Sequence, residues 1–225
     1  MKVGTDGVLL GCWAPIAFSR QHSAVSILDV GTGSGLIALM LAQRCPKAQI
    51  DAIDIDSNAV EQAKENFTAS VFSHQLSAFI SSVQEWQIGH CPSYDLVVSN
   101  PPYFQNSLKN PDKGREMARH TDTLSYDELL EHSARLLITG GQLALFLPAE
   151  AETEIREKSA RNSLYCTHIT RVYSKKNKTA RRVLMTFIHQ HSTAPVVPEE
   201  DTLVLENETG GRSAAYSKLC EEFYL

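Results

Sequence analysis

The chain has 225 residues, 43% of them hydrophobic, and sets 21 Lys and Arg against 26 Asp and Glu for a net charge of −5. That is enough apolar material for one full core, and the acidic balance argues against a protein that coats nucleic acid, leaving at most a local basic face. No stretch approaches ~20 consecutive apolar residues, and the opening Met1-Lys2-Val3-Gly4-Thr5-Asp6 lacks the charged-then-apolar layout of a secretory signal. Cys12, Cys45, Cys91, Cys166 and Cys220 are odd in number and unpaired by spacing, so ordinary thiols in a reducing cytoplasm, with no metal centre and no membrane partner, are expected.

Taken in order, Thr5 is placed to cap a helix over Gly7-Val8-Leu9-Leu10-Gly11-Cys12-Trp13-Ala14, with Asp6 in its first turn. This segment reads either as a helix on the sheet edge or as a cover over a ligand; composition does not choose. Ser26-Ile27-Leu28-Asp29-Val30 is an apolar strand that runs into Gly31-Thr32-Gly33-Ser34-Gly35 and then into a helix over 36–44. A strand, a glycine turn and a helix start form a cofactor platform: glycines let a ligand approach the backbone, and outward amide N–H groups are expected. The dinucleotide fingerprint needs a third glycine where this chain has Leu36, so the pattern is Asp-x-Gly-x-Gly-x-Gly instead.

Gln49 to Asp56 is a strand ending in carboxylates. A carboxylate at the end of a second strand can accept both ribose hydroxyls of a nucleoside; Asp54, followed by Ile55, is the choice by motif alignment, with Asp56, which would cap the next helix at Ser57, as the alternative. Leu76 to Ser81 is a third strand, followed by a turn at Ser82, Val83 and Glu85. The apolar run Tyr94 to Ser99 is a fourth, buried parallel strand, stopped by Asn100-Pro101-Pro102-Tyr103. Two prolines stiffen that tip, which presents an amide and an aromatic ring where open α/β sheets bind ligands.

A polar stretch over 104–123 carries Lys109, Lys113, Arg115, Arg119 and His120. Ser125 or Asp127 starts an amphipathic helix that is expected to end on a glycine C-cap at Thr139-Gly140-Gly141. Gln142 to Leu147 is a fifth strand, Glu150 to Arg161 a charged helix, and Tyr165 to Tyr173 and Arg182 to His189 two strands of a hairpin. Its tip carries Lys175, Lys176, Lys178, Arg181 and Arg182, which reads either as a solvated turn or as a grip on phosphates. The tail holds a short strand (202–205), a turn at Gly210-Gly211 and a last helix. One domain is expected, with a helical lid over 1–22, a core over 23–192 and a strand–helix appendage over 193–225. Five alternations of strand and helix followed by a hairpin predict a doubly wound, seven-stranded, mostly parallel α/β sheet with one antiparallel strand and helices on both faces.

The glycine turn with Asp29 before it and an acidic strand end after it closely resembles motif I of class I S-adenosylmethionine methyltransferases, and the whole layout is similar to their Rossmann-like fold. That resemblance implies S-adenosylmethionine as cofactor. It also implies an adenine contact at the turn after strand three, where an acidic residue is usual and Ser82 stands here; the Ser82 hydroxyl, the Val83 backbone or Glu85 could substitute.

Asn100-Pro101-Pro102-Tyr103 resembles motif IV of amino-methyltransferases acting on adenine N6, cytosine N4 or a glutamine amide. A conjugated amine gives its lone pair to the ring or carbonyl and is a poor nucleophile. Asn100 Oδ1 and the Pro101 carbonyl can accept its two N–H bonds and aim the lone pair at the donor, while Tyr103 stacks on the substrate plane. The Lys2 to Gly11 segment, Asn100 to Phe104 and Arg119-His120-Thr121, read together, resemble the bacterial enzymes that N6-methylate the adenosine just 3′ of the anticodon in a valine tRNA. In that family the opening segment lines the donor pocket, which implies that Lys2, Gly4, Thr5 and Asp6 cover the methionine end of the cofactor. Members usually carry a further basic, aromatic segment ahead of it. The partner implied is the tRNA anticodon stem-loop, gripped by Phe104, Lys109, Arg115, Arg119 and His120 and by the hairpin cations, in a monomer or weak homodimer. A glutamine methyltransferase, another adenine-N6 enzyme or a silent RNA-binding relative are the alternatives; the first normally carries a helical domain for which no room is expected before Ser26.

Overall fold

In the computed structural model, residues 4–16, 25–86, 94–101, 124–191 and 196–223 are described. Among them eight strands form one sheet: β1 (Val25–Val30), β2 (Ala48–Asp54), β3 (Leu76–Ile80), β4 (Tyr94–Ser99), β5 (Leu137–Pro148), β6 (Leu164–Tyr173), β7 (Arg182–His189) and β8 (Glu199–Val204), in the order β3-β2-β1-β4-β5-β7-β6-β8. β1 to β5 run parallel, and β7 inserts antiparallel between β5 and β6. The expected seven strands are present, and the tail strand adds an eighth by pairing parallel to β6.

The helices α1 (Thr5–Trp13), α2 (Leu36–Arg44), α3 (Ser57–Ala69), α4 (Tyr126–Leu136), α5 (Glu152–Ala160) and α6 (Ala214–Leu219) cover both faces. Alternation in β1 sends Val25 and Ile27 into a core shared with α1, α2, α3 and α6, and Leu28 and Val30 into one shared with α4 and α5. Every residue of β4 is buried, as a continuous apolar run covered on both faces requires.

Local chemistry sets most boundaries. Asp56 caps α3, its side chain accepting from the Asn58 amide. Ser125 and Glu128 form a reciprocal capping box at the start of α4. Two expectations need correction. The N-cap of α1 is Gly4, with Thr5 inside the helix and no side-chain cap. Nor is Gly140-Gly141 a helix cap: α4 ends at Leu136, and Gly140 (φ 82°) lies within β5 at the bulge between the Tyr94–Leu137 and Leu96–Gln142 pairs. A Cβ on Gly141 would fall 2.9 Å from the Ile138 carbonyl and 3.0 Å from that of Tyr94, so this pair lets backbones approach at the bulge.

α1 is pinned at both ends. A Cβ on Gly7 would meet Leu36 Cδ2 at 3.3 Å, so the first turn of α1 rests on the first turn of α2. At its C-terminus the Arg44 guanidinium donates to the Gly11 and Ala14 carbonyls at 2.7 and 2.9 Å. No helix of the described residues is long and apolar enough to cross a membrane.

Candidate active site

The chain leaves β1 toward β2 and β3 and then returns to the other side of β1 as β4. That reversal opens a crevice at the carboxyl ends of β1 and β4. Val30, the last residue of β1, pairs with Ser99, the last of β4, and the Ser99 hydroxyl donates to the Val30 carbonyl at 2.8 Å. Half-buried Asn100 and buried Pro101 therefore emerge directly beside Gly31.

The turn adopts left-handed backbone at Gly31 (φ 74°), Gly33 (φ 57°) and Gly35 (φ 81°). Two of these glycines serve different ends. A Cβ at Gly35 would strike Phe67 Cε1 at 2.4 Å, so Gly35 packs α2 against α3; a Cβ at Gly31 would meet nothing within 4 Å among the described residues. The expected outward amides are largely spent inside the turn. Gly31 and Thr32 donate to the Ile53 carbonyl at 2.9 and 3.0 Å, Gly35 to the Thr32 carbonyl at 3.0 Å, and Gly33 to Asp54 Oδ2 at 2.9 Å. The turn is thus a poor anion cradle.

Two acidic side chains also sit at the turn. Asp29 is fully buried; Oδ2 accepts the Thr32 hydroxyl at 2.6 Å, while Oδ1 has no hydrogen-bond partner among the described residues. Burial pushes its carboxyl up to about 7 even though the Thr32 hydroxyl and the Ala38 backbone amide pull it down. Half-buried Asp54 accepts the Gly33 amide on Oδ2 and the Asp56 amide on Oδ1, at 2.9 and 3.0 Å. A carboxylate has about four acceptor positions, so two remain for a pair of vicinal hydroxyls. Asp56 is committed to its cap, whereas Asp54 keeps acceptor positions beyond its bonds to the Gly33 and Asp56 amides. Ile55 next to it is 62% exposed, an apolar surface beside the hydroxyl site.

One strand further out, the Ser81 amide donates to the Asp54 carbonyl at 3.0 Å and brings the Ser82–Glu85 turn alongside. Ser82 Oγ donates to Glu85 Oε2 and accepts the Glu85 amide, both at 3.2 Å, so a carboxylate absent from position 82 is supplied by Glu85; Val83 is buried beneath. The turn is anchored by contacts that the sequence did not suggest: Trp86 Nε1 donates to Tyr94 Oη at 2.9 Å, and Tyr94 Oη donates to Asp51 Oδ2 at 2.8 Å.

Gly4, Thr5 and Asp6 begin α1 beside this crevice, and Asp6 Oδ2 lies 3.4 Å from Arg182 Nε. Because Arg182 pairs with Pro148, the end of β5, the hairpin tip with Lys175, Lys176, Lys178 and Arg181 stands on the carboxyl edge that carries Asn100. Those four side chains are exposed; Lys175 also pairs with Glu206 at 3.3 Å. Lys2, Pro102, Tyr103, Phe104, Lys109, Arg115, Arg119 and His120 lie outside the described residues. No group of three or more His, Cys, Asp or Glu among the described residues is arranged to hold a metal ion.

The sequence profile of the family "Methyltransferase small domain" matches residues 17–156. A tRNA1(Val) (adenine(37)-N6)-methyltransferase of Parabacteroides distasonis is 44% identical over 226 residues, spanning 100% of this chain and 91% of the relative. One of the same name from Flavobacterium johnsoniae is 40% identical over 100% of this chain and 93% of the relative. Among solved structures, a predicted O-methyltransferase from Agrobacterium tumefaciens superposes with a TM-score of 0.72 at 19% identity, covering 96% of this chain and 95% of the other.

Proposed function

The chain belongs to the tRNA1(Val) (adenine(37)-N6)-methyltransferase family, and from that premise we propose that it methylates N6 of an adenosine in tRNA, adenosine 37 beside the anticodon of valine tRNA, with S-adenosylmethionine as donor. The observation that carries this reading is the glycine turn, with its amides spent and two carboxylates on it, one strand away from Asn100. A pyrophosphate would find few free amides there. A nucleoside carrying an ammonium and a sulfonium fits: the space left at Gly31 by the described residues, a buried acceptor on Asp29 with no partner among them and spare lone pairs on Asp54 match its size, charge and hydroxyls. When bound, the cofactor supplies a methyl group on a cationic sulfur, an excellent leaving group.

The chain's own residues do the rest by positioning. Asp29 holds the ammonium, Asp54 the ribose hydroxyls, and Ile55 and Val83 border the adenine, whose amine is taken by the Ser82–Glu85 turn. Asn100 Oδ1 and the Pro101 carbonyl accept the N–H bonds of the substrate amine, and Tyr103 fixes its plane. Alignment of a weak nucleophile with an activated methyl supplies several kcal/mol, and the proton leaves easily after transfer. The anticodon loop suits such a site, because a loop base is reached without unpairing a duplex. The hairpin cations, with Lys109, Arg115, Arg119 and His120, grip the phosphates, and a tRNA substrate supports a cytoplasmic reading.

The test is transfer of a tritiated methyl group onto total tRNA, a peptide-release factor and duplex DNA in parallel, followed by nucleoside analysis. Label in N6-methyladenosine of tRNA is expected. Label on protein glutamine or on DNA alone, or no cofactor binding at millimolar concentration, overturns the reading.

A further inference from the structure

The cysteines looked unrelated in sequence, yet two of them meet in the fold. Cys12 on α1 and Cys220, just after α6, are 208 positions apart, with their sulfur atoms 3.2 Å from each other. We propose that Cys12 and Cys220 form an oxidisable dithiol, which a hydroperoxide converts to a disulfide that ties the first helix to the C-terminal segment.

The geometry is close to a bonded one. Both side chains are buried, at 4% and 0% exposure, and point at each other. A disulfide needs the sulfurs at ~2.05 Å, an approach of about 1.2 Å from the present separation. Cys45 and Cys166 are only half-buried, and Cys166 Sγ faces the His168 carbonyl rather than a thiol.

The pair is also polarised. Cys12 donates its S–H to the Cys220 sulfur, which favours negative charge on Cys220; that bond holds the Cys220 thiol below the usual range, with help from the Arg212 guanidinium, and pushes Cys12 up. Cys220, in the short segment after α6, is the sulfur that meets peroxide when that segment opens. Its thiolate displaces one oxygen of the O–O bond, giving a sulfenic acid and an alcohol or water. The Cys12 sulfur then attacks that sulfenic sulfur; the S–S bond forms, the S–O bond breaks, and the Cys12 proton leaves with the hydroxide as water. The two thiols are oxidised by two electrons and the peroxide is reduced by two.

Access comes from the C-terminal segment. α6 has six residues, and the segment beyond it is held on α2 by a bond from Gln43 Nε2 to the Glu222 carbonyl at 3.1 Å. A short, peripheral element of this kind opens locally far more often than the sheet unfolds. Re-docking returns the sulfenic acid to Cys12. The closed ring spans almost the whole chain, so the cross-link restricts the unfolded ensemble strongly, and an upward Tm shift of about 10 °C follows for a chain of this size.

The experiment treats the reduced full-length protein with hydrogen peroxide and maps its peptides without reductant. One linked pair is expected, joining the Cys12 and Cys220 peptides, two hydrogens lighter than the free thiols, reversed by dithiothreitol and accompanied by the Tm rise. A Cys12→Ser variant should leave a dimedone-trappable sulfenic acid on Cys220, whereas Cys220→Ser should leave Cys12 unreacted. Thiols that survive peroxide, sulfinic acid on Cys220 without a link, links to Cys45, Cys91 or Cys166, or an unmoved Tm each overturn the proposal. None of these readouts depends on methyl transfer.

Discussion

Ser99 Oγ donates to the Val30 carbonyl at 2.8 Å inside the sheet, and this bond fixes how far Asn100 stands from the glycine turn. Ser99→Ala removes one partner of a buried pair and should cost about 1 kcal/mol of stability, read as a lower urea midpoint with an unchanged m-value. Turnover should fall several-fold while cofactor affinity holds, since the donor contacts lie on the other strand.

Asp29 separates folding from binding. Its folded carboxyl titrates at about 7, above the ordinary value of 3.8, so the folded protein holds a proton that the unfolded chain has lost between those values. Its contribution to stability therefore falls as pH rises from about 4 to about 7 and stays low above that. Asp29→Asn should raise Tm at pH 8, with a gain that shrinks toward pH 4, and should weaken S-adenosylmethionine at least tenfold by calorimetry. A variant less stable at pH 8 that binds the cofactor normally would contradict the assignment.

The two outer glycines of the turn should respond differently to a methyl group. Gly31→Ala meets no atom of the described residues, so the protein should fold with a loss of about 1 kcal/mol from the left-handed backbone, yet bind the cofactor at least a hundredfold more weakly. Gly35→Ala drives a Cβ into Phe67 and should instead lose stability by several degrees in Tm. Equal effects of both on cofactor binding would remove the distinction.

Charge reversal at Lys175 and Lys176 tests the hairpin. Binding to a valine tRNA transcript should weaken, and the slope of log affinity against log salt should drop by roughly 0.7–0.9 for each phosphate that is no longer neutralised. Unchanged binding would return the hairpin to a solvated turn.

Much of the frame was legible because its causes are local. An apolar run between turn residues marks β4, Asp-x-Gly-x-Gly-x-Gly marks the turn, and Asp56 before Ser57-Asn58 marks a capped helix; each signal lies within a few residues. The failures came where distant backbone decides. Gly140-Gly141 has the composition of a helix cap, but the Tyr94 carbonyl across the sheet uses it for close approach. The turn amides point inward because Ile53 and Asp54, some twenty residues on, accept them. Likewise Glu85 reaches the place of an acidic residue at 82 only through the Ser82 hydrogen bonds, and Cys12 meets Cys220 only once both ends of the chain dock on α2.

The most direct measurement is the rate of N6-methyladenosine formation on a valine tRNA transcript by the wild type and by Asn100→Ala, at saturating S-adenosylmethionine, with cofactor affinity measured beside it. Asn100 steering the amine predicts a rate lowered at least about a hundredfold and an affinity within a few-fold of wild type. A variant turning over within tenfold of wild type would contradict it.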